Sequence, residues 1–263
     1  MKRKNINKIE QEDDSGYMMS ISDLMSGLVF IFIIALVYFV VHFKSVNKSL
    51  ASRNETRTQI LTEIEHRIKE KDLDKNLEIE VNAKNGVIHI RDKSDKMLFK
   101  SGKAEPEGNG RIVLEGLSDL LRSIVPCYTP KNFQACGLPE SQRPLPINRK
   151  LETIFIEGHT DRYPIHNSQF SDNWELSVQR AIEVYRILIG KNEYLEQIKN
   201  ESGFPVFSVS GYGATRPISA ETDYEKYMLD RRIDLRFIMV PPKDGEMNKP
   251  ENQSTLKMNL SPK

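Results

Sequence analysis

The sequence is constrained most by one apolar stretch near its beginning. Residues 18–43 read MMSISDLMSGLVFIFIIALVYFVVHF, and no charged residue occurs between Leu24 and Val41. A helix of about 20 residues, rising about 1.5 Å per residue, crosses the roughly 30 Å hydrocarbon core of a bilayer. The stretch therefore predicts one transmembrane helix over residues 17–43.

A single carboxylate, Asp23, stands at the start of this apolar stretch. An acidic residue in a spanning helix is costly and usually faces a protein interior or an ion path. Ser20, Ser26 and Gly27 lie on the same helical face, and small residues let a neighbouring helix pack closely. Two interpretations stay open from position alone: Asp23 is an interfacial cap, or it carries a translocated proton or sodium ion.

The flanking charges predict the orientation of the span. The first eight residues contain four basic ones, Lys2, Arg3, Lys4 and Lys8. The positive-inside rule then predicts residues 1–16 as a flexible cytoplasmic tail, with the chain after Phe43 outside the cytoplasm. A cleaved signal peptide is the weaker alternative, because bulky His42 and Phe43 follow where a small-residue cleavage site would stand.

Composition narrows the classes of function. The net charge is +1, and no basic stripe interrupts the sequence, which argues against nucleic acid as the main partner. The two cysteines, Cys127 and Cys136, would lie in an oxidising compartment, so a disulfide is expected. The sequence leaves open whether they close a short loop or join two copies of the chain.

The region after the span begins with a charged linker, residues 44–76. Four apolar residues recur in it at helical spacing, namely Ile60, Leu61, Ile64 and Ile68. They predict an amphipathic linker helix that continues from the membrane, and a solvated charged spacer is the alternative. At the other end of the chain, the polar residues 241–263 predict a disordered tail.

Residues 77–240 carry the pattern of one α+β domain. Alternating segments at 77–81 and 87–91 flank Asn85-Gly86, which predicts a hairpin. The five prolines and both cysteines of residues 126–150 predict an irregular insertion. The remaining predicted elements are helices at 111–124 and 174–189 and strands at 153–157, 206–210 and 233–240. We write the predicted order as β-α-β-α-β-β.

Three polar motifs in this domain contain the candidate ligand-binding residues. They are Gly158-His159-Thr160-Asp161, Asn173-Trp174-Glu175-Leu176-Ser177 with Arg180-Ala181, and Asp230-Arg231-Arg232. Asp161 and Arg180 supply opposite charges that could grip a zwitterion, since a carboxylate binds ammonium and a guanidinium binds carboxylate. Leu176 and Arg180 are four residues apart and share a helix face. Asn173, at the expected N-cap, could contact a ligand or only cap the helix.

Together, GHTD, NWELSxxRA and RRIDLRF resemble the OmpA-like peptidoglycan-binding domain, over about residues 77–240. The resemblance implies that Asp161 and Arg180 bind the diaminopimelate of the stem peptide, with Asn173 and Leu176 beside them. It implies no metal and no cofactor. The NWELS motif behind an Asp-bearing span resembles the MotB-type stator subunit in particular. The Asp-Leu-Met-Ser of 23–26 is similar to that family's Asp-Phe-Met-Thr, whose Asp carries the translocated proton or sodium ion.

This second resemblance implies the setting and the partners. The chain would be a single-pass protein of the bacterial inner membrane, with its C-terminal domain in the periplasm. It would act as a homodimer inside a pentameric ring of a MotA-like multi-span partner and bind peptidoglycan. It would not be an enzyme, since His159 and Asp161 form no recognisable zinc or catalytic set.

The sequence departs from the flagellar pattern at several points. The linker is short and has no recognisable plug helix, residues 126–150 carry two cysteines, and the loop from Asp161 to Asn173 is long. Asp230 stands where the family often has Asn. These departures, with Asp-Leu-Met-Ser-Gly at 23–27, favour the MotB-like subunit of the Zorya anti-phage defence system. A flagellar stator subunit and a passive peptidoglycan tether without ion conduction are the alternatives.

Overall fold

The computed structural model describes residues 6–92, 98–106, 108–218 and 228–241, with side chains from residue 21 onward apart from Ile147 and Met228. The chain forms two compact units, which divide after Leu50. The disordered tail predicted for residues 241–263 lies, from residue 242 onward, outside the described residues.

The first unit is the beginning of helix α1 (Ile6–Glu70). The backbone of residues 6–16 is helical, where the sequence predicted a flexible tail. From Ile21 onward α1 is long and apolar enough to cross a membrane by length and composition. Every side chain from residue 21 to residue 44 is exposed, so the described residues of this unit do not cover the apolar surface that predicted the span.

The second unit, residues 51–241, is built on a five-stranded sheet. Its strands are β1 (Glu78–Asn82), β2 (Val87–Arg91), β3 (Leu151–His159), β4 (Phe207–Gly211) and β5 (Arg232–Met239). The order across the sheet is β1-β2-β5-β3-β4, with β3 and β4 parallel and the other pairs antiparallel. β3 and β5 are therefore central, while β1 and β4 form the two edges.

Three helices and several short turns complete the unit. The helices are α2 (Asn109–Ile124), α3 (Asn173–Lys191) and the single turn α4 (Tyr194–Gln197). The 3-10 turns are Leu73–Lys75, Val125–Tyr128, Pro130–Ala135, Glu140–Gln142, Pro146–Asn148 and Met228–Asp230. The predicted mixed α/β fold is confirmed. The initial hairpin, β1 and β2, supplies two strands where the predicted order had one, so the observed order is β-β-α-β-α-β-β apart from α4.

The second part of α1 belongs to the core of this unit. Ile60, Leu61 and Ile64 are completely buried and Ile68 nearly so, as members of the main apolar cluster. Arg57 Nη2 also donates to Lys84 O, 2.9 Å away, at the turn between β1 and β2. The amphipathic linker helix is therefore part of the folded unit, which begins at residue 51 rather than at the predicted residue 77.

Two glycines allow α3 to approach the sheet closely. Gly158 and Gly211 are neighbours across the β3–β4 pair. A Cβ atom on Gly158 would collide with the Ser177 carbonyl, and one on Gly211 would lie 2.5 Å from Val178 Cγ2. Ser177 Oγ accepts from Gly213 N at 2.9 Å, so the first turns of α3 are fixed over the ends of β3 and β4.

The proline-rich insertion folds into short 3-10 turns beside the end of α2. Cys127 and Cys136 form a disulfide within one chain, with their Cα atoms 4.5 Å apart. Both residues are buried, and Gly137 N donates to Ser123 O of α2 at 2.8 Å. The cysteines thus close a short loop, one of the two arrangements that the sequence left open.

Candidate functional site

The site begins where β3 ends, in the loop that leads to α3. Asp161 follows the last residue of β3 by two positions, and its side chain is only 17% exposed. Its Oδ1 atom accepts from Tyr163 N at 3.1 Å, a local turn that sets the orientation of the carboxylate. Oδ2 lies 3.7 Å from Nη1 of Arg231, at the start of the last strand.

The sequence placed Asn173 at the N-cap of α3, but Asn173 does not cap the helix. The N-cap is Asp172, whose carboxylate accepts from Glu175 N at 2.9 Å, while Glu175 in turn accepts from Ser171 N at 2.8 Å. Asn173 is the first helical residue, and its Nδ2 donates to Asp161 O at 3.3 Å and Tyr163 O at 2.9 Å. Its amide therefore holds the Asp161 loop against the start of the helix.

Arg180 lies two turns into α3 and is 2% exposed, on the buried face that also carries Leu176. Its Nε donates to Lys103 O at 3.0 Å, and its guanidinium lies 4.7 Å from the ring centre of Phe99. Burial lowers the pKa of Arg180 to about 10, with a further lowering from the positive charge of Arg231. The guanidinium still carries its charge at neutral pH.

The predicted pair of Asp161 and Arg180 is part of a larger cluster. Within the described ranges the two make no direct ion pair; Arg231 instead links Asp161 to Asp92, with Nη2 3.4 Å from Asp92 Oδ2. Asp92 follows β2 and accepts from Leu98 N at 2.7 Å. Burial raises the pKa of Asp92, while that hydrogen bond and the charge of Arg231 oppose the rise.

The hydrogen bonds of this cluster are incomplete. In the part of the chain that the structure describes, Arg180 uses Nε alone, and Nη1 and Nη2 have no acceptor. The Thr160 hydroxyl, next to Asp161, is buried and has no described partner. A guanidinium with two unused donors beside a carboxylate could bind a ligand that has a carboxylate at one end and an ammonium at the other.

A second buried cluster crosses the middle of the sheet. Ligand atoms of Glu157, His159 and Asp234 lie within 4.8 Å of one another, a separation that a metal ion could bridge. However, Arg236 contacts both Glu157 oxygens at 2.8 Å, and Arg232 Nε contacts both Asp234 oxygens, at 3.0 and 3.1 Å. A cation would have to displace these arginines, so the donor set does not fit a metal site well.

His159 has no access to a substrate in this cluster. It is 1% exposed and stacks on Tyr212, with ring centres 5.3 Å apart. Its Nε2 lies 3.2 Å from Asp234 Oδ2, although outside hydrogen-bond geometry, and burial lowers its pKa. His159 is therefore buried in the sheet, whereas Asp161 is partly exposed in the loop that follows, and the two do not form a catalytic pair.

Asp92 and Arg231 are the site residues that sequence reasoning missed. Arg231 belongs to the Asp230-Arg231-Arg232 motif, so its charge was noticed but its contacts were not. Asp92 lies in no motif at all. Only the pairing of β2 with β5 brings the end of one strand beside the start of the other.

Asp23 lies in the first unit, on α1, and its side chain is exposed. One helical turn away, the Ser26 hydroxyl donates to Ser22 O at 2.7 Å. A Cβ atom on Gly27 would meet no atom within 4 Å. The helical face that carries Asp23 is therefore not covered by any described residue of this unit.

Comparison with known proteins finds a family match for part of this domain. Residues 145–227 match the OmpA family, a range that includes Asp161, Asn173, Leu176 and Arg180. Motility protein B of Bacillus subtilis (strain 168) is 30% identical over 198 residues, which cover 75% of this chain and 61% of that protein. The chain is therefore similar to Motility protein B and carries an OmpA-like segment. It spans less than two thirds of the length of that relative.

Solved structures show weaker similarity to this chain. A MotB-like protein from Desulfovibrio vulgaris has 21% identity and a TM-score of 0.43, over 75% of this chain and 98% of that one. The cell wall anchor of the T6SS from Pseudomonas aeruginosa has 20% identity and a TM-score of 0.43, over 66% of this chain and 94% of that one.

Asp92, Arg231 and Asp23 lie outside the OmpA match, so their roles depend on the geometry described above.

Proposed function

We propose that the OmpA-like domain binds peptidoglycan through the diaminopimelate of its stem peptide, and so anchors a membrane complex to the cell wall. The observation that carries this proposal is Arg180. Its guanidinium is buried and charged, yet Nη1 and Nη2 have no acceptor among the described residues. Asp161 and Asp92 balance part of its charge, and the two nitrogens without an acceptor could donate to an anionic ligand.

The free end of diaminopimelate is a zwitterion and suits the two ends of the site. Its carboxylate would accept from the Nη atoms of Arg180, and its ammonium would contact the Asp161 carboxylate. Asp161 is held for this contact by Tyr163 N on one side and, through its backbone, by Asn173 on the other. Each charge-assisted hydrogen bond contributes about 1.5–3 kcal/mol.

Asp161→Asn tests this proposal with little change of shape. The amide oxygen can still accept from Tyr163 N, but the negative charge is lost. We expect co-sedimentation of the full chain with purified sacculi to weaken by about tenfold or more, at an unchanged melting temperature. Asp119→Asn is the matched control, since Asp119 is exposed on α2 and accepts one hydrogen bond from Asn192. Equal binding by both variants would contradict the proposal.

We further propose that the chain is an ion-conducting stator subunit that works as a homodimer with a MotA-like multi-span partner. Asp23 is the sole acidic residue of the span, and its open helical face has room for a neighbouring helix. A charge that crosses 100 mV releases about 2.3 kcal/mol. An amide does not bind and release protons or sodium ions as a carboxylate does, so an amide at this position could not use that energy. Asp23→Asn should abolish ion flux in cells while membrane insertion stays intact. Undiminished flux in the variant would contradict an ion path through Asp23, and a wild-type complex without flux would favour a passive tether.

Two biological settings are candidates for this stator. The short linker, the cysteine loop and the sequence around Asp23 favour the MotB-like subunit of Zorya anti-phage defence. The 30% identity with Motility protein B favours a flagellar stator. Deletion of the gene distinguishes them, because loss of phage resistance with normal swimming supports defence and the reverse supports motility.

A further inference from the structure

Asp92 is a buried carboxylate just after β2, and its residue is 8% exposed. Its Oδ1 atom accepts from Leu98 N at 2.7 Å, and its Oδ2 atom accepts from Nη2 of Arg231 at 3.4 Å. The amide oxygen of an asparagine could accept from Leu98 N equally well. What an asparagine would lack is the negative charge, and the ion pair of that charge in the described chain is with Arg231.

The charge of Asp92 carries a cost for folding. Burial raises the pKa of its carboxyl group, because the ionised form is poorly solvated inside the domain. Ionisable groups whose pKa values are shifted by burial and by a specific charged partner are frequent at functional sites. The cost is explained if the charge of Asp92 acts on the site beside it.

The sheet places Asp92 and Arg231 side by side at the edge of that site. Arg91 pairs with Arg232 in the antiparallel ladder of β2 and β5, so the next position brings Asp92 to Arg231. On its other side, Nη1 of Arg231 lies 3.7 Å from Asp161 Oδ2. One guanidinium thus lies between two carboxylates, of which Asp161 is the one expected to contact a ligand.

Arg231 has few hydrogen bonds that fix its position. Within the described residues its Nε atom is buried without an acceptor, and its contact with Asp161 is too long for a hydrogen bond. The positive charge of Arg180 also repels it. The position of Arg231 is therefore set mainly by the attraction of the two carboxylates.

We propose that Asp92 is a positioning residue that holds Arg231 away from Asp161, so that the Asp161 carboxylate stays available to the ammonium of a ligand. This role rests on the proposed function, in which that ammonium binds Asp161. Without the charge of Asp92, Arg231 would move onto Asp161 and compete with the ammonium for the same carboxylate. Asp92 thus sets the affinity of the site without touching the ligand.

Binding of a diaminopimelate-containing stem tetrapeptide by the full chain in detergent tests the proposal. Asp92→Asn keeps the acceptor for Leu98 N but removes the charge. We expect the affinity of this variant for the peptide to fall by about threefold to tenfold, within the range of coupling between neighbouring residues, without a lower melting temperature. The matched control is Asp119→Asn, since Asp119 is exposed on α2, and it should bind as the wild type does.

Removal of Arg231 separates positioning from a general effect on the fold. Arg231→Gln leaves Asp161 without this competing cation, so the variant should bind the peptide at least as tightly as the wild type does. In that background Asp92→Asn should change the affinity by less than about twofold, because no guanidinium is left to hold. A merely structural role of Asp92 would instead weaken binding by the same factor in both backgrounds.

Each outcome bears on one proposal. A loss of affinity in Asp92→Asn that disappears in the Arg231→Gln background supports the positioning role. Wild-type affinity in Asp92→Asn, an equal loss in both backgrounds, or failure of Arg231→Gln to bind overturns it and leaves the peptide site intact. A marked loss of thermal stability in Asp92→Asn also overturns it, because the charge would then serve the fold. Failure of the wild type to bind the peptide overturns the proposed function, and the positioning role with it.

Discussion

Two buried charge clusters lie close together in the OmpA-like domain, and they differ in how completely their charges are paired. In the cluster at the centre of the sheet, Glu157 and Asp234 each receive two contacts from an arginine side chain. In the cluster at the end of the sheet, Arg180 makes one hydrogen bond in the described chain and Arg231 lies 3.4 Å or more from its two carboxylates.

The comparison shows that burial alone does not identify a binding site. Asp234 and Arg180 are equally hidden from solvent, at 1% and 2% exposure. The two carboxylates of the central cluster are paired with arginines of the protein and contribute to folding. In the outer cluster, Arg180 has donor nitrogens without an acceptor in the described chain, and these are available to a ligand. If this interpretation is correct, substitutions in the two clusters should separate stability from binding.

The largest effect is expected from Asp234→Asn in the central cluster. The carboxylate compensates Arg232 and contacts His89 at 2.7 Å, so neutralising it leaves a buried guanidinium without its counter-charge. We expect a loss of about 3–5 kcal/mol in unfolding free energy, measured by urea denaturation. A loss below about 1 kcal/mol would show that the paired charges of the central cluster do not stabilise the folded domain.

The next effect concerns binding rather than stability. Arg180→Met keeps an unbranched apolar side chain but removes the guanidinium that lies over Phe99. Affinity for sacculi should fall by about tenfold to a hundredfold. The unfolding free energy should change by less than about 1.5 kcal/mol, because Arg180 makes no direct ion pair among the described residues and the variant loses one hydrogen bond, to Lys103 O. A variant that unfolds as readily as Asp234→Asn and still binds would erase the distinction between the clusters.

Acid titration provides a third comparison. Burial alone would raise the pKa of Asp234, but contacts with His159 and His89 and the charge of Arg232 hold it well below its usual range. Its stabilising contribution is therefore present above the unfolded value of about 3.9 and is lost as the pH falls below it. Wild-type stability should decline between about pH 5 and pH 2, and the decline should be shallower in Asp234→Asn.

The smallest effect is expected from Asp92→Asn, which has the opposite sign. Burial raises the pKa of Asp92, so ionisation of its carboxylate disfavours the folded state as the pH rises through that pKa. The amide can still accept from Leu98 N. At pH 7 we expect a gain of up to about 1 kcal/mol in unfolding free energy, measured beside Asp234→Asn under the same conditions. A loss of unfolding free energy as large as in Asp234→Asn would contradict the expected difference between the two clusters.

Much of the architecture was predictable because it depends on local pattern. The apolar run from Leu24 to Val41 indicated the long exposed helix, and Asn85-Gly86 indicated the hairpin. The helical spacing of Ile60, Ile64 and Ile68 indicated an amphipathic helix. Periodicity of this kind records which face of an element is apolar, so it predicts the element without knowledge of its neighbours.

The tertiary structure decided which surfaces and charges meet. The sequence showed that α1 has an apolar face, but only the fold places that face in the core of the domain. The register of the sheet sets His89 beside Asp234 and Asp234 beside Glu157, from three separate strands. The pairing of β2 with β5 also brings Asp92 close to Arg231. The position of Arg180 against Lys103 gives it one hydrogen bond in the described chain. Ion pairing depends on distances between residues far apart in the chain, whereas the motifs record only the residues near one another in it.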